Sequence, residues 1–224
     1  MPRMMRFFCG ISIMKITKIG HCCLLIETKG KRILTDPGMY SVEQHSKVTN
    51  IDFNLFTHEH PDHYHLDSLK IILQNNPQTK IYANDSVSAL LSKENIEHVL
   101  VKHGETLKLD EIDLKGIGEK HAVLHGSIPQ STNTGYFIDG RLWYPGDAFT
   151  NPEMQVEILA LPVMAPWLKV SESMDYAISL KPKFAIPVHD AVRYGFTHDF
   201  AKRVLGPNDI EFFPMIEGDE KDFN

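Results

Sequence analysis

The chain is short of cysteine, of basic charge and of long apolar runs, and each shortage removes a class of protein. Its 224 residues hold three cysteines, Cys9, Cys22 and Cys23, with no C-x-x-C and no paired spacings. That layout argues against a disulfide framework and for a reducing, cytoplasmic setting. Cys22 and Cys23 are adjacent, so in an extended strand their side chains face opposite ways. Acidic residues outnumber basic ones by 29 to 23, giving a net charge of −6; nucleic acid is therefore not an expected partner. No apolar run approaches the roughly 18 residues of a bilayer-spanning helix, and no membrane association is expected. No repeat, low-complexity tract or Pro/Gly/Ser linker divides residues 14–224. With 42% hydrophobic and 23% charged residues, disordered, collagen-like and coiled-coil architectures are excluded. One domain over 14–224 is expected, long enough to bury a substantial core unaided. Residues 1–13 place Arg3 and Arg6 before a short apolar stretch without a small-residue cleavage pattern. They read as a non-essential extension, of the kind an upstream start codon produces, rather than a signal peptide.

What the chain has in quantity is histidine, 12 against 23 Lys and Arg. Four lie between residues 58 and 65, and His58-x-His60-x-Asp62-His63 follows directly on the apolar run Ile51–Phe56. Side chains two apart in an extended chain point the same way, so His58 and His60 can grip one ion. Asp62 and His63 come after Pro61 turns the loop and can address a second ion nearby. Imidazole and carboxylate suit zinc, iron, manganese or nickel, and the cluster's lack of thiolates argues against a thiolate-rich structural site. The bland alternative is a polar loop capping the next helix; four potential ligands in six residues at a strand end outweigh it. Further candidates follow later strands: His121 and His125 after Ile112–Ile117, Asp147 in Pro145-Gly146-Asp147, and His189 in Pro187-Val188-His189.

Hydrophobic patterning predicts two β-rich blocks, each followed by helices. The first contains Lys15–Ile19, Cys22–Glu27 and Arg32–Thr35 as an antiparallel meander turning at Lys29-Gly30, then Ile51–Phe56 and Lys80–Ala83. Helices are expected after Leu66, with Asp67 and Ser68 in the first turn, and over Asp85–Lys93 with Asp85 or Ser86 as cap. The second block runs from Val99 to Tyr144, with a hairpin signal at Asp139-Gly140. Strands at Val156–Leu161, Phe184–Val188 and Ile210–Phe213 then alternate with helices at Ser173–Leu180 and His198–Leu205. The class is α+β, two sheets face to face with helices outside.

Thr57-His58-Glu59-His60-Pro61-Asp62-His63 resembles the H-x-H-x-D-H signature of the metallo-β-lactamase superfamily, and the resemblance spans residues 14–224. Thr35-Asp36-Pro37, a His in 121–125, Pro145-Gly146-Asp147 and Pro187-Val188-His189 match its other motifs. Ile19-Gly20-His21, followed by Leu24-Leu25-Ile26 and Ile33-Leu34-Thr35-Asp36, is similar to the ascorbate-6-phosphate lactonase-like branch. The resemblance implies a four-layer αββα sandwich with metals at one edge. It implies that His58, His60 and His121 bind one ion, with His125 the alternative to His121. It further implies that Asp62, His63 and His189 bind a second ion, that Asp147 bridges the two, and that Asp36 holds a ligand imidazole in its tautomer.

Two divalent ions about 3.5–4 Å apart lower the pKa of a shared water, giving a hydroxide that attacks an ester, lactone or phosphate-type bond of a small molecule. Zinc is the first expectation, with Mn, Fe or Ni as alternatives. His21 is the candidate proton donor to the leaving group, with a hydrogen-bonded strand residue as its plain alternative. The cationic centre is compatible with an anionic substrate, and the sequence is compatible with an oligomer. Tyr64, Lys120, Tyr144, Trp167, Arg193 and Tyr194 fall in or near loops and read as ordinary surface or core. His65 and His198 read as helix-end or surface residues; His45, His98 and His103 carry no signal. The competing functions are a redox metalloprotein of the persulfide dioxygenase kind, a nuclease of the same fold, and a non-catalytic metal-binding role.

Overall fold

Apolar side chains on both faces of most strands dictate two inner layers. A computed structural model describes residues 13–191 and 195–224; the expectations for Cys9, Arg193 and Tyr194, and for the extension up to residue 12, fall outside the described residues. The first sheet combines β1 (Met14–Gly20), β2 (Cys23–Thr28), β3 (Lys31–Thr35), β4 (Phe53–Phe56), β5 (Lys80–Ala83) and β6 (Val99–Leu100). The second combines β7 (Thr106–Leu109), β8 (Ile112–Ile117), β9 (Gly135–Ile138), β10 (Leu142–Tyr144), β11 (Ile158–Pro162), β12 (Phe184–Val188) and β13 (Glu211–Phe212). A last strand, β14 (Glu220–Phe223), returns to the first sheet, so its order is β14-β1-β2-β3-β4-β5-β6. Pairing is antiparallel from β14 through β3 and parallel from β3 to β6. The second sheet repeats the scheme, antiparallel from β7 to β10 and parallel from β10 to β13.

The period of two sorts the side chains between layers. In β11, Ile158 and Ala160 enter the core between the sheets, while Leu159 and Leu161 face the helices. Cys22 and Cys23 divide in the same way, Cys22 into the inter-sheet core and Cys23 toward the outer layer. Helices α2 (Leu66–Asn75) and α3 (Asp85–Lys93) cover the first sheet through Leu69, Val87 and Leu91, packed with Phe56 and Ile81. Helices α4 (Val170–Leu180) and α5 (Gly195–Leu205) cover the second through Met174, Ala177, Ala201 and Leu205. These layers form the expected αββα sandwich.

One local expectation changes, and two elements are added. The cap of α3 is Asn84, whose side chain accepts the Val87 N–H at 3.1 Å; Asp85 and Ser86 lie inside the helix. A one-turn helix, α1 (Val42–His45), lies between β3 and β4, too short to show a period. Strand β14, with Glu220, Lys221 and Asp222, has no counterpart among the expected elements; it pairs with β1 and buries Phe223. Among the described residues no helix is long and apolar enough to cross a membrane.

Candidate metal centre

The expected ligands come from one end of the sandwich, where β3, β4, β10 and β12 finish and the β1–β2 turn closes. Three of the residues there, His21, Asp36 and His189, have φ of 49°, 37° and 57°. That left-handed region costs an L-residue about 1–2 kcal/mol, so the surrounding contacts over-determine these side-chain directions. Two glycines let the loops close on each other. A Cβ on Gly38 would stand 1.8 Å from the Asp62 carbonyl oxygen, and one on Gly146 would stand 2.3 Å from Asn133 Oδ1.

Asp36 is fully buried and is the hub of the support. Its carboxylate accepts the Thr57 N–H at 2.8 Å, the Thr57 hydroxyl at 2.7 Å and the Tyr144 hydroxyl at 2.8 Å. It also meets His63 Nδ1 at 2.8 Å, which turns His63 Nε2 toward the centre. His189 is oriented the same way by Nδ1 donating to the Met164 carbonyl, and His121 by Nδ1 donating to the Ala122 carbonyl at 2.6 Å. Asp147 is held by its backbone N–H on Asn133 Oδ1 at 2.9 Å, and its Oδ2 accepts the Trp167 indole N–H at 2.8 Å.

The ring nitrogens and carboxylate oxygens then converge. Ligating atoms of His58, His60 and His121 all lie within 4.8 Å of one another, and so do those of His58, His63 and Asp147. Asp147 lies between the groups, 3.0 Å from His63 Nε2, 3.3 Å from His121 Nε2 and 3.1 Å from His189 Nε2. Asp62 Oδ2 is 3.3 Å from His189 Nε2, 3.2 Å from His21 Nε2 and 3.8 Å from His63 Nε2.

These residues fit divalent ions. His121 Nε2 and Asp147 Oδ1 are buried and hydrogen-bond to no described residue despite such short contacts. An unsatisfied buried polar atom costs about 1–3 kcal/mol; a cation between them removes the cost, and imidazole with carboxylate is a donor set for zinc and its neighbours. The two sides differ in charge. Burial holds His58 and His60 below the ordinary imidazole value, so they are neutral donors. Burial also opposes charge on His63 and His189, but Cys22, Asp147 and the other nearby acids outweigh it and raise both. Burial likewise opposes ionisation of Asp147 and Asp62, and the facing histidines outweigh it and lower both. A cation entering the His63–His189 side competes with protons.

The model of the family described as "Beta-lactamase superfamily domain" matches residues 15–189. The chain belongs to that superfamily. A Mycobacterium tuberculosis protein, Rv0786c, is 38% identical over 185 residues, covering 80% of this chain and 85% of its own. A UPF0173 metal-dependent hydrolase from Nanoarchaeum equitans is 24% identical over 189 residues, 79% of this chain and 83% of its own. Among solved structures, the metallo hydrolase Igni18 of Ignicoccus hospitalis superposes with a TM-score of 0.77 at 20% identity, covering 95% of this chain and 99% of that one. At that identity the likeness is one of fold.

Measured against the superfamily resemblance, the structure brings His58, His60, Asp62, His63, His121, Asp147 and His189 together, with His21 and Asp36 in contact with them. His125 is exposed and its ring bonds Ser127, whereas His121 meets Asp147, so of the two third-motif histidines it is His121 that faces the centre. Two residues read as ordinary are not: Tyr144 holds Asp36 and Trp167 holds Asp147. Tyr64 is core beside Phe56, and Lys120 is exposed. His65 precedes α2 and bonds Ser68 at 2.7 Å; His198 pairs with Asp190 at 3.6 Å. Sequence reading missed Asn133, and it missed Lys18, which is 2% exposed and donates to the carbonyls of His21 and Pro187 and to Asp190 Oδ1 at 2.8 Å. A lysine inside an apolar strand was the available signal. The cluster is free of thiolate only along the sequence: Cys22 Sγ lies 3.6 Å from His63 Nε2. A cavity of about 590 Å³ opens over His21, Asp62 and His189, walled by Met39, Tyr40, Met164 and Pro166, with no Lys or Arg among its described lining residues.

Proposed function

We propose that the protein is a metal-dependent hydrolase using two divalent ions, zinc first, to cleave an ester or lactone bond in a small molecule. One observation carries this reading: Asp147 reaches His63, His121 and His189 at 3.0–3.3 Å, joining a group of three imidazoles to one of two imidazoles and a carboxylate. The names of the UPF0173 relatives support it. The likeness of Ile19-Gly20-His21 to the lactonase-like branch supports the choice of bond.

His58, His60 and His121 would hold one ion, Asp62, His63 and His189 the other, and Asp147 both. Such a pair supplies a hydroxide nucleophile at neutral pH and polarises the bond under attack. The chain's own residues supply orientation and a proton. Asp36 fixes His63, and the Met164 carbonyl fixes His189. His21 Nδ1 accepts the Ala191 N–H at 3.1 Å, so its proton sits on Nε2, beside Asp62 and on the cavity floor. That proton is placed to pass to the leaving oxygen. The apolar walls Met39, Tyr40, Met164 and Pro166 suit a substrate with an apolar part, which favours an ester or lactone over a phosphate-bearing compound.

The test is a hydrolysis screen over lactones, thioesters, phosphodiesters and β-lactams with protein of measured metal content. About two ions per chain and loss of hydrolysis on chelation are expected. Activity that persists in a His58→Ala, Asp147→Ala double variant would sink the reading.

A further inference from the structure

We propose that Cys22 is a thiolate ligand to the divalent ion on the His63–His189 side, a donor that the H-x-H-x-D-H motif does not supply. The inference rests on the reading of the site as a metal centre. Cys22 Sγ and ring nitrogens of His21, His63 and His189 all lie within 4.8 Å of one another. The side chain is 1% exposed, so no water or other solvent ligand competes for the sulfur. Its backbone is pinned: the Cys22 carbonyl accepts the Tyr144 hydroxyl at 2.7 Å and the Thr35 hydroxyl at 3.1 Å. Those bonds keep the start of β2 from swinging the thiol away.

The distance to His63 fits two donors on one ion as well as it fits an S–H···N hydrogen bond. Two donors on one tetrahedral zinc, nitrogen at about 2.0–2.1 Å and sulfur at about 2.3 Å, are about 3.5 Å apart. Cys22 Sγ stands 3.6 Å from His63 Nε2. A second, independent group points to the same place. Asp147 is 2% exposed, and its Oδ1, which has no hydrogen-bond partner among the described residues, lies 3.0 Å from that same His63 nitrogen. Sulfur and a bare carboxylate oxygen thus both stand against the same ring nitrogen, which a bound cation would reconcile. Cys23, on the opposite face of β2 in the outer apolar layer, is the built-in control.

The experiment uses the full chain loaded with Co²⁺, because thiolate bound to cobalt gives an intense near-ultraviolet charge-transfer band that imidazole and carboxylate do not. The band is expected in the native chain and in Cys23→Ser, and is expected to vanish in Cys22→Ser. Two cobalt ions per chain without the band, or a band that survives Cys22→Ser, overturns the proposal while leaving the metal-centre reading intact. A chain that takes up no cobalt overturns both. Should Cys22→Ser fail to fold, the Cys9→Ser, Cys23→Ser double variant decides instead. With Cys22 as its sole thiol it keeps the band if the proposal holds and loses it if the proposal is wrong.

Discussion

The two ends of the sandwich use the same residue types to opposite effect. At the hairpin end, the turn at Lys29-Gly30 faces the turns at Asp110 and Asp139-Gly140, and the sheets are joined by Lys29 to Asp139 and Lys31 to Asp110. Lys29 and Lys31 are about a third exposed, at 35% and 32% of their side chains, Asp110 is 48% exposed, and of the four only the Asp139 side chain is buried, at 7%. At the other end the sheets are joined by Tyr144 on Asp36, Tyr136 on the Phe56 carbonyl at 2.6 Å and His63 against Asp147, all buried. Water screens charges at the first end, so tight turns are all that its geometry demands. At the second, charges are desolvated, and each must be paired, hydrogen-bonded or neutralised by a cation. The difference locates function: one end tolerates its charges, and the other is organised by them.

The sharpest way to break this contrast is to remove the charge shared by both ligand groups. Asp147→Asn keeps the shape and the frame of Asn133 and Trp167 but loses the anion facing three imidazoles. Hydrolysis is expected to fall about 10³-fold or more, with bound metal lost and the circular dichroism spectrum unchanged. A variant with near-native activity would show that the buried end is structural, like the other.

Next in size is the buried cation beneath the site. Lys18 ties the His21 carbonyl, the Pro187 carbonyl and Asp190 together, fastening the β1–β2 turn to the end of β12. Lys18→Met leaves Asp190 buried with His198 as its remaining cationic partner among the described residues, and breaking a buried pair of this kind costs about 3 kcal/mol. Urea unfolding at neutral pH would measure it. Burial pushes the Asp190 carboxyl up, but His198 and Lys18 outweigh it and lower it. A depressed acid contributes stability above its ordinary value of 3.8 and loses it as pH falls through the folded value. The gap between variant and native chain should therefore narrow below that range. A change under about 1 kcal/mol would place Lys18 with the screened pairs of the hairpin end.

Asp36→Asn separates orientation from charge. The one amide oxygen can accept either the Thr57 N–H, as Oδ1 does, or the Thr57 and Tyr144 hydroxyls, as Oδ2 does, and the negative charge that stabilises His63 is lost. Metal affinity is expected to weaken about 10–100-fold with the fold retained, read by competition with a chelator. An unchanged affinity would mean that His63 is held by packing alone.

How much of this was legible in the sequence follows from what kind of contact carries it. The alternation in β11 and the His58–His63 run were readable because neighbours in sequence are neighbours in space along a strand. His121 was readable as the candidate nearest the end of β8, and the structure turns it toward Asp147 while leaving His125 exposed. Contacts across the sandwich left no such trace. Cys22 meets His63 from a turn 41 positions away, Trp167 reaches Asp147 across 20, and Lys18 reaches Asp190 across 172. Strand β14 was hidden for another reason: as an edge strand its polar face is solvated, so only Phe223 carries the apolar signal.

The smallest expected effect tests the other half of the contrast. Lys29 bonds Asp139 and the Glu111 carbonyl, linking the β2–β3 turn to both neighbouring hairpins of the second sheet. By geometry alone it resembles Lys18, with partners on two segments far away in sequence. What differs is water. Lys29 has 35% of its side chain exposed, against 2% for Lys18, and Asp139, itself 7% exposed, keeps the Thr28 hydroxyl at 3.3 Å, so water entering where Lys29 stood completes its solvation. Lys29→Ala should cost under about 1 kcal/mol in urea unfolding, less in high salt, and leave metal content and hydrolysis unchanged. If it cost as much as Lys18→Met, the number of segments a lysine joins, rather than its burial, would set its worth.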